Sequence, residues 1–407
     1  QVRQGWTDNE IKPSSIASDT EWIRRVHLDL VGAIPSLEVV EAFLKDRDPA
    51  KRPKLIDNLL DDPGYVRNWT TIWSNLLIGR RTPRRVSRGG MRKFLREAFA
   101  RNRPWDKVVY DLVSAEGHFE RNGAVNYLLA QMTMRDDGVQ ATAKTTRLFM
   151  GIQVQCTQCH NHPFNDSRQE QFHGLTAFFK STRSEAVRGS EAFELISGPF
   201  DGAAYYEDRL GVLHMAPARL AGQRVDLKGV ENPRAELARL MTGGSDPRLA
   251  RAMVNRTWAR LLGHGFTSPV DDMGPHNPPS HPEVLDRLSW EFVASGFDVK
   301  QLVRWICNTR AYGLTSRMTA EEAGLAAADA VAQLCRDLDM PETLRDVGVP
   351  EDGLEFIAAA TLHDRGLATN PKPVSDAGPI MTVLRSAFWI QLFRNSLTSC
   401  TKSEVFS

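Results

Sequence analysis

"TTRLFMGIQVQCTQCHNHPFNDSRQEQFHGLTAFF", residues 145–179, puts two thiols and two imidazoles into seven positions between two apolar patterns. On the N-terminal side, Val139, Leu148, Phe149 and Ile152 recur at helix-compatible spacing, predicting a helix over about 139–156 that runs directly into the cluster. On the C-terminal side, Phe172, Leu175, Phe178 and Phe179 form the apolar face of a second, amphipathic helix. The same period extends outward. Residues 36–46 place Leu37, Val40, Phe43 and Leu44 on one stripe behind Ser36, a natural N-cap after Pro35. Leu55, Ile56, Leu59 and Leu60 form another stripe, stopped by Asp61-Asp62-Pro63-Gly64. Trp69, Ile72, Trp73, Leu76 and Leu77 form a third, ending at Gly79.

Beyond the cluster the character changes. Residues 181–235 are rich in glycine and short apolar pieces, which predicts a linker carrying one hairpin. A second helical block follows. Leu249, Met253, Trp258, Leu261 and Leu262 lead to Gly263; a helix beginning near Pro282 stops at Gly296; Asp298 and Gln301 read as a capping-box variant. The expected fold is mainly α: a helical domain over 8–182 holding the cluster, an irregular linker over 183–232, a second helical domain over 233–317, and a helical C-terminal tail over 318–407. With 407 residues the chain can bury at least one sizeable core.

Charge narrows the partners. Fifty-one Lys and Arg against 50 Asp and Glu leave a net +1, so no global field argues for nucleic acid or a membrane surface. No apolar run reaches the roughly 18–20 residues of a membrane span, and no signal-peptide pattern opens the chain. One local field stands out. Residues 79–103 hold nine Arg and one Lys against Glu97 alone, a stretch from Arg80 to Arg103 suited to an anionic glycan, haem propionates or an acidic redox partner.

Five cysteines spread over the chain exclude a disulfide-built scaffold. Cys307 and Cys335 sit in apolar helical patterns and read as small core residues. Cys156-Thr157-Gln158-Cys159-His160 is different, having the C-x-x-C-H spacing of a c-type haem attachment site. There two thiols add across the haem vinyl groups and the next histidine reaches the iron. Competing readings are zinc or iron held by the thiols with His160, His162, His173, His276 or His281, a redox dithiol, and packing filler. A redox dithiol wants a strand before it and a helix after, and no βαβ pattern surrounds this one. A zinc site wants a second ligand pair from afar. Haem c is the leading expectation, with Cys156 and Cys159 as attachment points and His160 as proximal ligand. Met150, His173, His214 and Met215 stand as candidates for a sixth ligand. His162 precedes Pro163 and is biased out of any helix through His160.

The stretches "WIRRVHLDLVGAIPSLEVVEAFLKD", "KRPKLIDNLLDDPGYVRNW" and the quoted cluster resemble a planctomycete cytochrome-associated family of unknown function. Residues 233–317 resemble the domain that usually follows it. The family's C-x-x-C-H-x-H-P-F motif falls on Cys156, Cys159, His160, His162, Pro163 and Phe164; the family has Asp next, where this chain has Asn165 and then Asp166. The resemblance implies a periplasmic or otherwise exported protein. Its implied work is electron transfer linked to polysaccharide metabolism, with another cytochrome as redox partner. The rival expectations are a metal-dependent enzyme acting on glycans and a haem-free interaction module built on a structural metal.

Two further segments carry expectations. Asp271, Asp272, His276 and His281 lie in a Pro-rich loop that reads either as a ligand loop or as a rigid connector whose Asp and His cap neighbouring helices. Asn255 and Arg256 read as buried polar links between helices. Residues 319–389 resemble the C-terminal helices of iron-containing alcohol dehydrogenases, with Leu325, Ala328, Val331, Ala332 and Leu334 on one helix and Leu354, Ile357 and Ala358 on another. The nucleotide and metal sites of that family lie upstream of such a segment, so no dehydrogenase chemistry comes with it.

Overall fold

Short polar residues and prolines set the helix boundaries. α1 (Asp19–Leu30) starts at Ser18, whose hydroxyl accepts the Glu21 amide, and α2 (Leu37–Lys45) starts at Ser36, which accepts from Val39. α3 (Lys51–Asp61) gives way to α4 (Pro63–Ile78) across Asp62 alone. The Asp62 carboxylate takes the Gly64 amide at 2.6 Å, and Pro63 fills a first-turn position that needs no N–H. α4 stops at Gly79 with φ 76°. α5 (Arg88–Ala100), α6 (Trp105–Ser114) and the short α7 (Asn126–Leu129) follow. The computed structural model describes residues 13–81, 83–132, 138–162, 167–243, 247–316, 343–362 and 376–388, with Gly5 and Thr7. The readings placed on Pro163, Phe164, Asn165, Asp166, Leu325, Ala328, Val331, Ala332, Leu334, Cys335 and Cys400 lie outside the described residues.

The protein is mainly α with short sheets. Residues Gln1–Ser316 form one compact unit, whose core is aromatic. Trp73 lies 4.3 Å from Trp105 between ring centroids, Trp105 lies 6.4 Å from Phe149, and Tyr127 lies 5.5 Å from Phe149. All four are buried, each contributing about 1.5–3 kcal/mol through burial. One expected stripe is corrected. On α2 only Phe43 is buried, stacked on Trp22, while Leu37 is 70% and Leu44 45% exposed. α2 packs on α1, and of its apolar face Phe43 is fully covered and Val40 partly.

The segment expected to hold one hairpin holds more strand than that. β2 (Thr182–Ala186) and β3 (Phe193–Ser197) pair antiparallel, with β1 (Gly117–His118) on the far edge of β3. β4 (Ala203–Glu207) and β5 (Leu213–Pro217) form a second pair, and β6 (Arg219–Leu220) and β7 (Gln223–Arg224) a third. Glycines between short apolar pieces marked the turns, but pieces of two to five residues are too short for alternation to register in sequence.

Helices from both sides of this segment meet in the same unit. α8 (Val139–Thr145) and α9 (Gln169–Thr176) precede it, and α10 (Pro233–Thr242), α11 (Arg248–Leu262), α12 (Pro282–Ala294) and α13 (Val299–Cys307) follow. α10 lies on α6. Arg234, fully buried, donates to the carbonyls of Ala115 (2.7 Å) and Val113 (3.4 Å) at the α6 C-terminus and pairs with Glu116 at 3.2 Å. A cation there suits both the unpaired carbonyls and the helix dipole, while burial pushes the guanidinium pKa down to about 10. The ends of the unit are tied together by Ala17 N–H to Gly313 O (2.9 Å) and Thr315 N–H to Ser15 O (2.8 Å).

A second unit, Arg317–Ser407, contains α14 (Gly353–Thr361) and α15 (Ala377–Phe388), with Leu354, Ala358 and Phe388 buried. Among the described residues no helix is long and apolar enough to cross a membrane.

Candidate functional site

The chain does not run as one helix into the cysteines. α8 passes into a π-helical turn, Thr146–Met150, whose Leu148, Phe149 and Met150 are buried; Gly151 then ends it at φ 66°. The backbone favours glycine at 151. Its φ lies in the left-handed region, and a Cβ there would collide with the Met273 methyl. Its carbonyl accepts the Met273 amide at 2.7 Å. The apolar spacing expected across 139–156 is real, but it belongs to a helix that stops at Met150. Ile152 lies beyond that stop.

After three residues outside any helix or strand, Gln155–Gln158 make a single 3₁₀ turn. Such a turn has about three residues per revolution, so positions three apart eclipse. Cys156 and Cys159 therefore share one edge of the turn, and both are exposed and unpaired. Thr157 points the other way, buried, with its hydroxyl donating to Val154 O at 2.7 Å. Two donors from α9 grip the turn from beneath. Gln169 Nε2 and His173 Nε2 both donate to Gln158 O, each at 3.1 Å.

His160 follows with its tautomer fixed. Its Nδ1 lies 2.6 Å from the Asn161 carbonyl, which can only accept, so in the neutral ring Nδ1 carries the proton and Nε2 the lone pair. His162 is placed differently. Its backbone N–H returns to Ser167 O at 2.8 Å, and its ring lies 5.5 Å from that of His276, whose Nε2 is 3.2 Å from both Asp272 oxygens. His281 precedes α12 and bonds Ser280 Oγ at 3.2 Å.

His173 is buried on α9. Burial holds its pKa below the usual imidazole range, and the Gln158 carbonyl fixes its proton on Nε2. Its ring lies flat on Tyr206, 4.1 Å between centroids and 4° between planes. Tyr206 in turn faces His214 at 5.3 Å, and His214 Nε2 meets Asp208 at 2.8 Å. Of the other sixth-ligand candidates, Met150 is buried in the core and Met215 is 56% exposed on β5. A cleft of about 500 Å³ opens here, lined by Cys159, Gln158, His173, Tyr206, Lys180 and Asp208 among others. Tyr206, Gln158 and Gln169 escaped the sequence reading, because nothing in a tyrosine on a short strand or in the variable positions of C-x-x-C announces a contact.

Among the described residues, no three His, Cys, Asp or Glu side chains converge as a metal site. Asn255 is buried as expected, but it links α11 to the loop that follows rather than to another helix: it donates to Thr267 Oγ1 and Val270 O at 2.9 Å and accepts the Phe266 amide at 2.6 Å.

Residues 1–184 match the family model PSCyt2, a protein of unknown function (DUF1549), and residues 233–346 match PSD1, a protein of unknown function (DUF1553). The chain carries both domains. The PSCyt2 region contains the thiol turn, α8 and α9, and the PSD1 region supplies His276 and Asp272 beside His162. The PSD1 match runs past Arg317 to residue 346, and the likeness of residues 319–389 to alcohol dehydrogenases is not shown. No curated protein and no solved structure matches the chain.

Proposed function

We propose that the protein is an exported c-type haem protein that transfers electrons, with Cys156 and Cys159 as the thioether positions and His160 as the proximal ligand. The donor set fits the group. Two thiols share one exposed edge of a turn, and the imidazole immediately after them is protonated on Nδ1, which leaves Nε2 for iron. That last observation carries the reading, since a metal-bound histidine characteristically donates its other ring N–H to a carbonyl. Bound there, haem would supply a one-electron iron couple. The protein's own part is to hold the thiols, fix the tautomer of His160 and line the adjoining cleft with Tyr206 and His173. Linkage to polysaccharide metabolism, a cytochrome partner and a periplasmic setting belong to the same proposal, as does an anionic partner at Arg80–Arg103.

Co-expression with a haem-attachment system should give a Soret band and an α band that survive acid acetone. His160→Ala should abolish the histidine-ligated spectrum, while His162→Ala keeps the band positions within about a few nanometres, since an outer group tunes rather than ligates. One observation favours a metal site instead, the meeting of His162 with His276 and its carboxylate partner Asp272. Colourless protein with two free thiols and stoichiometric zinc, lost equally in both variants, would establish that reading and end the haem proposal.

A further inference from the structure

The π-helical turn has a second consequence, away from the thiols. It sets Arg147 against Asp271, Nε to Oδ2 at 2.6 Å, while Gln153 Nε2 donates to the other oxygen at 3.1 Å. α11 brings Arg256 into the same place, with Nη2 3.9 Å from Asp271 and 3.4 Å from the Arg147 carbonyl. Lys144, one turn before Arg147 on the same face, is half-buried, and Arg147 and Arg256 both act on it. Two guanidiniums thus meet one carboxylate that is 6% exposed, with the Lys144 ammonium a turn away in the same cluster. The Arg256 Nε is buried with no hydrogen-bond partner. Leaving a buried guanidinium N–H unpaired is unfavourable, and a cluster of three cations with one anion has an excess of two positive charges. The guanidinium fork and the ammonium match the donors that oxygen anions require.

We propose that Lys144, Arg147 and Arg256 form an oxyanion-binding site for a doubly charged phosphate or sulfate group, with Asp271 as the internal carboxylate that holds the arginines in place. Such an anion balances the excess charge. The proposal stands on the charge count and on Arg256, independently of haem.

Calorimetric titration of the full chain with inorganic phosphate and with inorganic sulfate, at ionic strength held constant with chloride, tests it. Saturable binding is expected. Lys144→Gln, at a half-buried position that tolerates the change, should weaken it about tenfold through loss of one charge-assisted bond. Phenyl phosphate and phenyl sulfate identify the source: tighter binding of the esters assigns the group to a larger molecule, and weaker binding assigns the free ion. No saturable heat with either ion in the wild type, or equal affinity in Lys144→Gln and wild type, would overturn the proposal.

Discussion

The same side chain appears in two opposite settings. Cys156 and Cys159 ride the outer edge of a one-turn 3₁₀ segment, exposed and unpaired. Cys307 sits in α13 at 3% exposure, where burial pushes its thiol far above the ordinary range. Thiolate character and access, not the sulfur itself, decide what a cysteine does. The fold spends its core on one and none of it on the other two. What holds the exposed pair is backbone geometry: Gly151 turns the chain, the Gln158 carbonyl anchors the turn, and Thr157 points inward.

The contrast can be broken most decisively by labelling. In apo-protein made in a reducing cytosol, with Cys335 and Cys400 replaced by serine, a maleimide should modify Cys156 and Cys159 promptly. Cys307 should react only through opening of α13, slower by about a thousandfold or more. Mass spectrometry of timed aliquots measures this directly. Comparable rates at all three would mean that the burial of α13 confers no protection.

Gly151→Ala asks whether the turn depends on that glycine. Alanine must take a left-handed φ, at a cost of about 1–2 kcal/mol, while the Met273 methyl it meets lies at the end of a flexible side chain. Urea unfolding should show the loss, with the native reactivity of Cys307 unchanged and that of Cys156 and Cys159 altered. A variant as stable as the wild type would sink the claim that Gly151 is required.

The comparison also marks what the sequence could say. Cys307 was legible, because "LVRWICN" declares a helix and an apolar face together. So were Ser36, Asp298 and Gly263, whose roles follow from local chemistry of the cap. The thiols and His160 stood out by spacing alone. The π turn did not, since its apolar residues keep nearly helical spacing and only tertiary packing of Phe149 on Trp105 and Tyr127 reveals that the helix ends. The three strand pairs were hidden by their brevity. The stack of His173, Tyr206 and His214 was out of reach for another reason: it joins α9 to a hairpin 30 and more residues away, and no local pattern encodes a pairing made by topology.

His173 sharpens the comparison from beneath the thiol turn. Its burial lowers the folded-state pKa below the 6.5 of a free imidazole, and so does that of His27. Above pH 6.5 both rings are neutral in the folded and unfolded chains, and their full contribution to stability is present. As pH falls below 6.5 the unfolded chain binds the proton first, so stability is lost progressively until the folded-state pKa is crossed. Stability should therefore fall between pH 7.5 and 5.5. His173→Gln can keep the donor to Gln158 O while removing the titration. Its urea midpoint should be close to that of the wild type at pH 7.5 and should fall less steeply toward pH 5.5, with the residual slope carried by His27. An unchanged slope in that variant would mean that His173 is protonated as readily in the fold as in the open chain. The α9 side of the thiol turn would then be no drier than its outer edge.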